Sequence, residues 1–356
     1  MQKHGHILYL DFLRLVALFL VVLLHVSGRE LLFSGKTGLE KAWGIANAFD
    51  SMCRCAVPVF VMISGALFLG REISVKRLYS KYVIRIVRVF AIWTVFYAMD
   101  ALILCFERHD ALLPAEFVAI CLKGHYHLWF LPMIACLYLI VPFLRQIAHD
   151  AGLCRLYLLL GFVFAFLVPQ AVAMVKLLAP WWGEVCVQIV GNMNAHFFLG
   201  YSVYFMWGYW LHHHPLSDRF VWICAFLGLS GVVATIWLTS YATKCAGVFD
   251  GRFYEASNVT VFLPATALFA VCKRWMGKVG KDVFCSRKLA SLAQLCLGAY
   301  LIHAFFFEHL ARWLNLSELE LHPLGAIPAI SLVVFVLSLV AAALLARIPF
   351  LGKWLF

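Results

Sequence analysis

Ten stretches of this chain are each long and apolar enough to cross a bilayer, and none alternates apolar with polar residues. They run over 7–28, 45–70, 83–106, 128–144, 156–178, 197–211, 220–241, 259–275, 289–310 and 324–346. A spanning helix needs about 20 such residues. Lipid leaves only helices and closed barrels as spanning structures, and a barrel strand would alternate. The expected fold is therefore all-α, a polytopic bundle of about ten transmembrane helices. Composition agrees: 64% of the 356 residues are hydrophobic and 13% charged, against about 45–50% and about 25% in soluble domains. Too little polar surface remains to cover a water-facing globule. The gaps between runs are loop-sized, so one membrane domain over 1–356 is expected. The first run contains Asp11 and Arg14 and lacks a small-residue cleavage site. It is expected to remain as a first helix rather than leave as a signal peptide.

The net charge of +11 is informative by position. With the N-terminus inside, 18 Lys and Arg fall on inner segments and 9 on outer ones, leaving Arg14 and Arg54 within spans. The positive-inside rule then predicts both termini in the cytoplasm. The basic clusters at 71–88 and 273–288 are expected to mark topology and meet anionic lipid. No basic soluble domain exists to bind nucleic acid, so none is expected as a partner.

Ionisable groups inside a membrane are expensive and mark function by default. Asp11 and Arg14 are three apart in the first run and can pair on one helix face. Arg14 and His25 are eleven apart, which puts them about 20° from one azimuth and about 16 Å apart along the axis. One face thus carries a cation near the inner surface and an imidazole near the outer one. This suits a long substrate with an anionic head and a distant reactive end. It suits equally a snorkelling pair with His25 near water, and the spacing does not choose. Arg54 lies four residues before Pro58, which is expected to kink the second span. Ser64 and Gly65 would let a neighbouring helix approach. His125, His127 and Trp129 mark the outer end of the fourth span, and Tyr300 and His303 lie mid-way along the ninth. His25, Arg54, His127 and His303 fall at similar depth on four different spans.

Other patterns carry less. His213 and Asp218 match an HxxxxD spacing, but within the short connector HHHPLSD. The run 212–214 offers three histidines without the carboxylate or Cys set of a metal site, so no metal is expected. The twelve cysteines are scattered without CxxC or zinc spacing. Cys186 and Cys245 could pair only if both loops faced an oxidising compartment. No GxSxG, P-loop or Rossmann glycine pattern is present.

Five segments together carry a resemblance: YLDFLRLVALFLVVLLHVSG with Arg14 and His25, VPVFVMISGALFLG, Arg85 before Ile86, HLWFLPMIACLYLIVP, and LGAYLIHAFF. In this order and spacing the chain resembles the integral-membrane acyltransferases of the acyltransferase-3 type, which O-acylate bacterial surface glycans. Its signature Arg, ten residues, His is matched by Arg14 and His25. Within the family the chain is most similar to the short bacterial form that acetylates enterobacterial common antigen. Val89 stands where many members have Pro. The resemblance implies acyl-CoA, commonly acetyl-CoA, as a co-substrate with no permanently bound cofactor. It implies a lipid-linked or surface glycan as acceptor and a bacterial cytoplasmic membrane as location. It further implies His25 as base or transient acyl carrier, Arg14 on the CoA phosphates and Asp11 orienting Arg14. Arg54, Ser64, Arg85, His127, Trp129, Tyr300 and His303 become candidates for binding either substrate or stabilising the oxyanion. Ten helices with buried Arg and His also suit a transporter or flippase, and a degenerate site would suit a sensor.

Overall fold

A computed structural model of the chain describes residues 7–34, 40–107, 114–193, 200–277, 283–313 and 322–348. Among these residues the regular structure is helical, without strands. The helices are α1 (Leu8–Ser34), α2 (Glu40–Cys53), α3 (Ala56–Phe68), α4 (Ile84–Glu107), α5 (Pro114–Lys123), α6 (Phe130–His149), α7 (Ala151–Gly161), α8 (Val168–Leu178), α9 (Pro180–Met193), α10 (Tyr201–His213), α11 (Asp218–Ala246), α12 (Val259–Met276), α13 (Val283–Gln294), α14 (Cys296–Trp313) and α15 (Pro323–Arg347). Short turns precede α4 and α6, and a π-helical turn joins α7 to α8. Among the described residues, eight helical stretches are long and apolar enough to cross a membrane, and α13 with α14 makes a ninth if that pair, bent by 54°, is one span. The chain is a multi-pass membrane protein.

Two differences from the sequence expectation have physical causes. The run at 45–70 forms one candidate span over Lys41–Phe68, as expected, but a turn at Arg54–Cys55 divides its helix into α2 and α3. Pro58 accounts for the break, because its ring clashes with the carbonyl four residues earlier, at Arg54. The run at 197–211 becomes α10, which has 13 residues, about 20 Å of helix, and so falls short of a full span. Residues 197–199 lie outside the described ones. The segment 180–193, expected as loop, forms α9, which packs back on α8. Cys186 and Cys245 are both free thiols.

α1 is the hub. It packs against α2, α3, α12, α13, α14 and α15, and its Leu13, Ala17 and Leu18 are fully buried. The lipid-facing side of the bundle is apolar instead: α11 exposes Trp222, Phe226, Leu229, Val233 and Trp237. Its opposite face turns Gly228 and Gly231 to α12, close to Ala267 and the Thr260 carbonyl. Lipid gives helices no hydrophobic reason to associate, so close backbone approach must supply the contact. α3 and α10 show this most strongly. A Cβ on Gly65 would stand 1.7 Å from the Phe205 carbonyl oxygen, and one on Gly208 would stand 2.1 Å from that of Met62.

Polar groups lock the ends. Lys273 donates to the carbonyls of Leu211, His212 and His214 at 2.6, 2.8 and 2.7 Å, closing the C-terminus of α10. Asn47 donates to the Ile236 carbonyl at 3.0 Å and the Ser240 hydroxyl at 2.8 Å, and accepts from Tyr254, tying α2 to α11. Asp218 pairs with Arg274 at 2.5 Å, and His213 packs on Tyr209, which explains the HxxxxD spacing structurally.

Gly65→Ala is expected to lower stability in detergent by about 2 kcal/mol, since backbone must move to admit the methyl group. Gly191→Ala, where a Cβ meets nothing within 4 Å, is the control. Thermal unfolding of the two variants checks this.

Candidate active site

α1 carries both ends of the site. Near its start Arg14 donates to Asp11 at 2.7 Å, one turn earlier. The Arg14 side chain keeps 30% exposure while that of Asp11 keeps 5%. The pair therefore holds its carboxylate in the protein and offers the guanidinium outward. It opens on a cavity of about 370 Å³ between α1, α3, α4, α6 and α14, near the lower end of the ~300–1,000 Å³ usual for ligand sites. Arg85, Tyr82, Ser64, Tyr138 and Gln294 also line it, and its walls are otherwise mostly apolar. Val21 and Tyr300 are among its lining residues furthest along α1 and α14. Val21 is one helical turn short of His25.

Beyond that level the polar cluster begins. The His25 ring stacks on His303 with centroids 5.2 Å apart and 26° between planes, and meets Tyr126 edge-on at 5.2 Å. His303 is fully buried and His127 is 1% exposed. Gly124 makes their approach possible: its φ of 73° turns the chain between α5 and the Tyr126–Trp129 turn. A side chain there would also meet the Phe90 ring at 3.0 Å. His127 Nε2 donates to the Leu301 carbonyl at 3.2 Å, and Tyr97 donates to the same oxygen at 2.8 Å. Tyr300 donates its hydroxyl to the His127 carbonyl. This bond sits between the cavity and the histidines. His125 bonds His127 at 2.8 Å, stacks on Tyr97 at 4.2 Å, and meets Glu308 at 3.3 Å.

Arg54 completes the cluster, within electrostatic reach of His25. It repeats the Arg14 device. Its Nε donates at 2.5 Å to Asp50, one turn earlier and wholly buried. Its guanidinium lies 3.9 Å over the Tyr254 ring, a cation–π contact. Tyr254 is itself fixed by Asn47.

The chain matches the family model of the acyltransferase domain over residues 7–347. It belongs to the acyltransferase-3 family. Comparison with curated proteins and with solved structures found no match. The protein is thus a membrane acyltransferase, and its sequence-derived candidates fall into groups. Arg14, Ser64, Arg85 and Tyr300 line the acyltransferase's cavity. His25, Arg54, His127 and His303 gather beyond it. Asp11 orients Arg14. Trp129 stands apart from both: it is 45% exposed and packs on Tyr201 at 5.9 Å.

Sequence reasoning passed over Asp50, Glu308, Tyr254 and Gln294. Asp50 had a signal, since it precedes Arg54 by the helical i,i+4 spacing. Glu308, Tyr254 and Gln294 had none, because tertiary packing alone brings them to the site. Among the described residues no three His, Cys, Asp or Glu side chains are disposed to hold a metal.

Asp50→Ala leaves the Arg54 charge uncompensated and is expected to cost about 3 kcal/mol of stability. Adding Arg54→Leu to Asp50→Ala should recover much of that loss. Unfolding of the single and double variants measures the coupling.

Proposed function

We propose that this acyltransferase moves an acyl group, most simply acetyl, from cytoplasmic acyl-CoA to a hydroxyl of a lipid-linked or surface glycan in a bacterial cytoplasmic membrane. The single observation that carries the proposal is the alignment along α1. A paired but still partly exposed Arg14 lines a mostly apolar cavity, and that cavity reaches to Val21, one turn short of His25.

The chemistry follows from these residues. A cation that keeps its own carboxylate can still meet phosphate oxygens, and Arg85 adds a second cation at the cavity. The nucleotide part of CoA is too bulky for a cavity of about 370 Å³, so it stays at the mouth beside Arg14 while the pantetheine arm enters. The thioester then lies near Val21 and Tyr300. To present it to His25, the Tyr300 hydroxyl exchanges its bond to the His127 carbonyl for one to the incoming group. His25 removes the proton of the acceptor hydroxyl as that oxygen attacks the thioester carbon. The C–S bond breaks, the ester C–O bond forms, and the proton passes to the departing sulfur, releasing CoA thiol. Arg54 is held rigidly by Asp50 and Tyr254. A donor fixed in advance stabilises the developing oxyanion without reorganising at the moment of reaction.

The cytoplasmic placement of Arg14 rests on the charge bias along the chain. It puts donor and acceptor on opposite faces of one site, with the wall between them made by Tyr300 and the histidines.

His25→Ala is expected to insert normally and lose acyl transfer by about 100-fold or more. Arg14→Ala should raise the KM for acyl-CoA by roughly tenfold or more, with a smaller effect on kcat. Transfer of radiolabelled acetyl from acetyl-CoA to lipid-linked glycan in membranes checks both. Full activity of His25→Ala would sink the proposal.

A further inference from the structure

The histidines around the end of the cavity are not equivalent, because their partners dictate which nitrogen of each carries hydrogen. A backbone carbonyl only accepts. His303 Nδ1 lies 2.5 Å from the Tyr300 carbonyl oxygen, so Nδ1 bears the hydrogen. A neutral imidazole has one N–H, so His303 Nε2 keeps a bare lone pair. That atom is buried without a hydrogen-bond partner, and the residue is 0% exposed.

His127 has the opposite arrangement. Its Nε2 donates to the Leu301 carbonyl at 3.2 Å, so its Nδ1 accepts from His125 Nδ1 at 2.8 Å. His125 thereby commits one N–H to His127, while its Nε2 faces Glu308 Oε1 at 3.3 Å. Tyr126 donates its hydroxyl to the same carboxylate. Two consecutive carbonyls of α14, at Tyr300 and Leu301, impose the whole pattern. The donors gather at the Glu308 end, and the unused acceptor stands beside His25.

We propose that His303 Nε2 accepts a hydrogen bond from a second hydroxyl of the acyl acceptor, adjacent to the hydroxyl that reacts. The inference rests on the transfer to a hydroxyl argued above and names the local chemistry of that acceptor: two neighbouring hydroxyls. The rings of His25 and His303 stack, with centroids 5.2 Å apart and planes 26° from parallel. One ring takes the proton of the reacting hydroxyl and the other holds its neighbour. His303 gains no net proton in the cycle. The same tautomer removes His303 from the oxyanion role, because its only N–H is already given to Tyr300. A buried polar atom left without a partner is costly, and a bound hydroxyl supplies the one it lacks. A site built this way discriminates strongly against an acceptor that lacks the second hydroxyl.

The test uses the full-length protein in lipid nanodiscs with 15N-labelled histidine, the His303 signal being assigned by its loss in His303→Gln. Long-range 1H–15N spectra at neutral pH should show Nδ1 protonated and Nε2 bare. Adding 1,2-cyclohexanediol should shift the Nε2 resonance, and adding cyclohexanol should not. An Nε2–H tautomer, an imidazolium, or equal response to the two alcohols overturns the proposal. In membranes, His303→Leu should lower transfer at limiting glycan by about tenfold, the worth of one hydrogen bond at the upper end of its range. The KM for acyl-CoA should stay unchanged. Undiminished transfer by His303→Leu also overturns the proposal. Transfer that survives His25→Ala would instead refute the underlying acyl-transfer reading while leaving the tautomer result standing.

Discussion

Arg14 and Arg54 are each held by an aspartate one helical turn earlier, and the proposed site depends on that device. An unpaired charge in hydrocarbon costs several kcal/mol. Asp11 removes that cost for Arg14 and Asp50 removes it for Arg54, from within the same helical segment or across its break. No other helix need supply a counter-charge. Both guanidinium groups stay partly exposed, with 30% and 25% of the side chain accessible. One lines the cavity and the other lies within electrostatic reach of His25.

The second pair needs more support than the first. α2 and α3 part at Arg54, so the helix alone does not fix the guanidinium. The Tyr254 ring beneath it and the Asn47 bonds behind that ring take over. Polar groups on α2, α11 and the 252–254 turn thus fix the position of Arg54. The close crossing of α3 and α10 serves the site in a similar way. It sets the wall that carries Ser64, and only glycine at 65 and 208 allows it.

Much of this was legible in the chain. Nearly uninterrupted apolar runs announced helices in lipid, because a strand in that setting would alternate. The i,i+3 spacing of Asp11 and Arg14 announced their pair. The eleven-residue step from Arg14 to His25 placed the two groups near one face of α1. The kink at Pro58 was legible too, although not the turn it would leave at Arg54–Cys55. What stayed hidden depends on packing between helices. Glu308 looks like an ordinary interfacial carboxylate until α14 carries it to His125. Trp129 seemed to belong with His127, but a short turn sends their side chains in different directions, one to Tyr201 and one inward. Tautomers are hidden for the same reason, since they follow from partners rather than spacing.

In the proposed reaction a donor arm fills the cavity between Arg14 and Tyr300 and delivers its acyl end towards His25. The most direct measurement is photo-crosslinking in native membranes with an acyl-CoA that carries a diazirine in its acyl chain, followed by peptide mapping. Adducts on Val21, Ile134, Leu297 or Tyr300, competed by unlabelled acetyl-CoA and weakened by Arg14→Ala, are the predicted result. Adducts confined to the groove between α8 and α9, or a cavity pattern indifferent to acetyl-CoA, would contradict it.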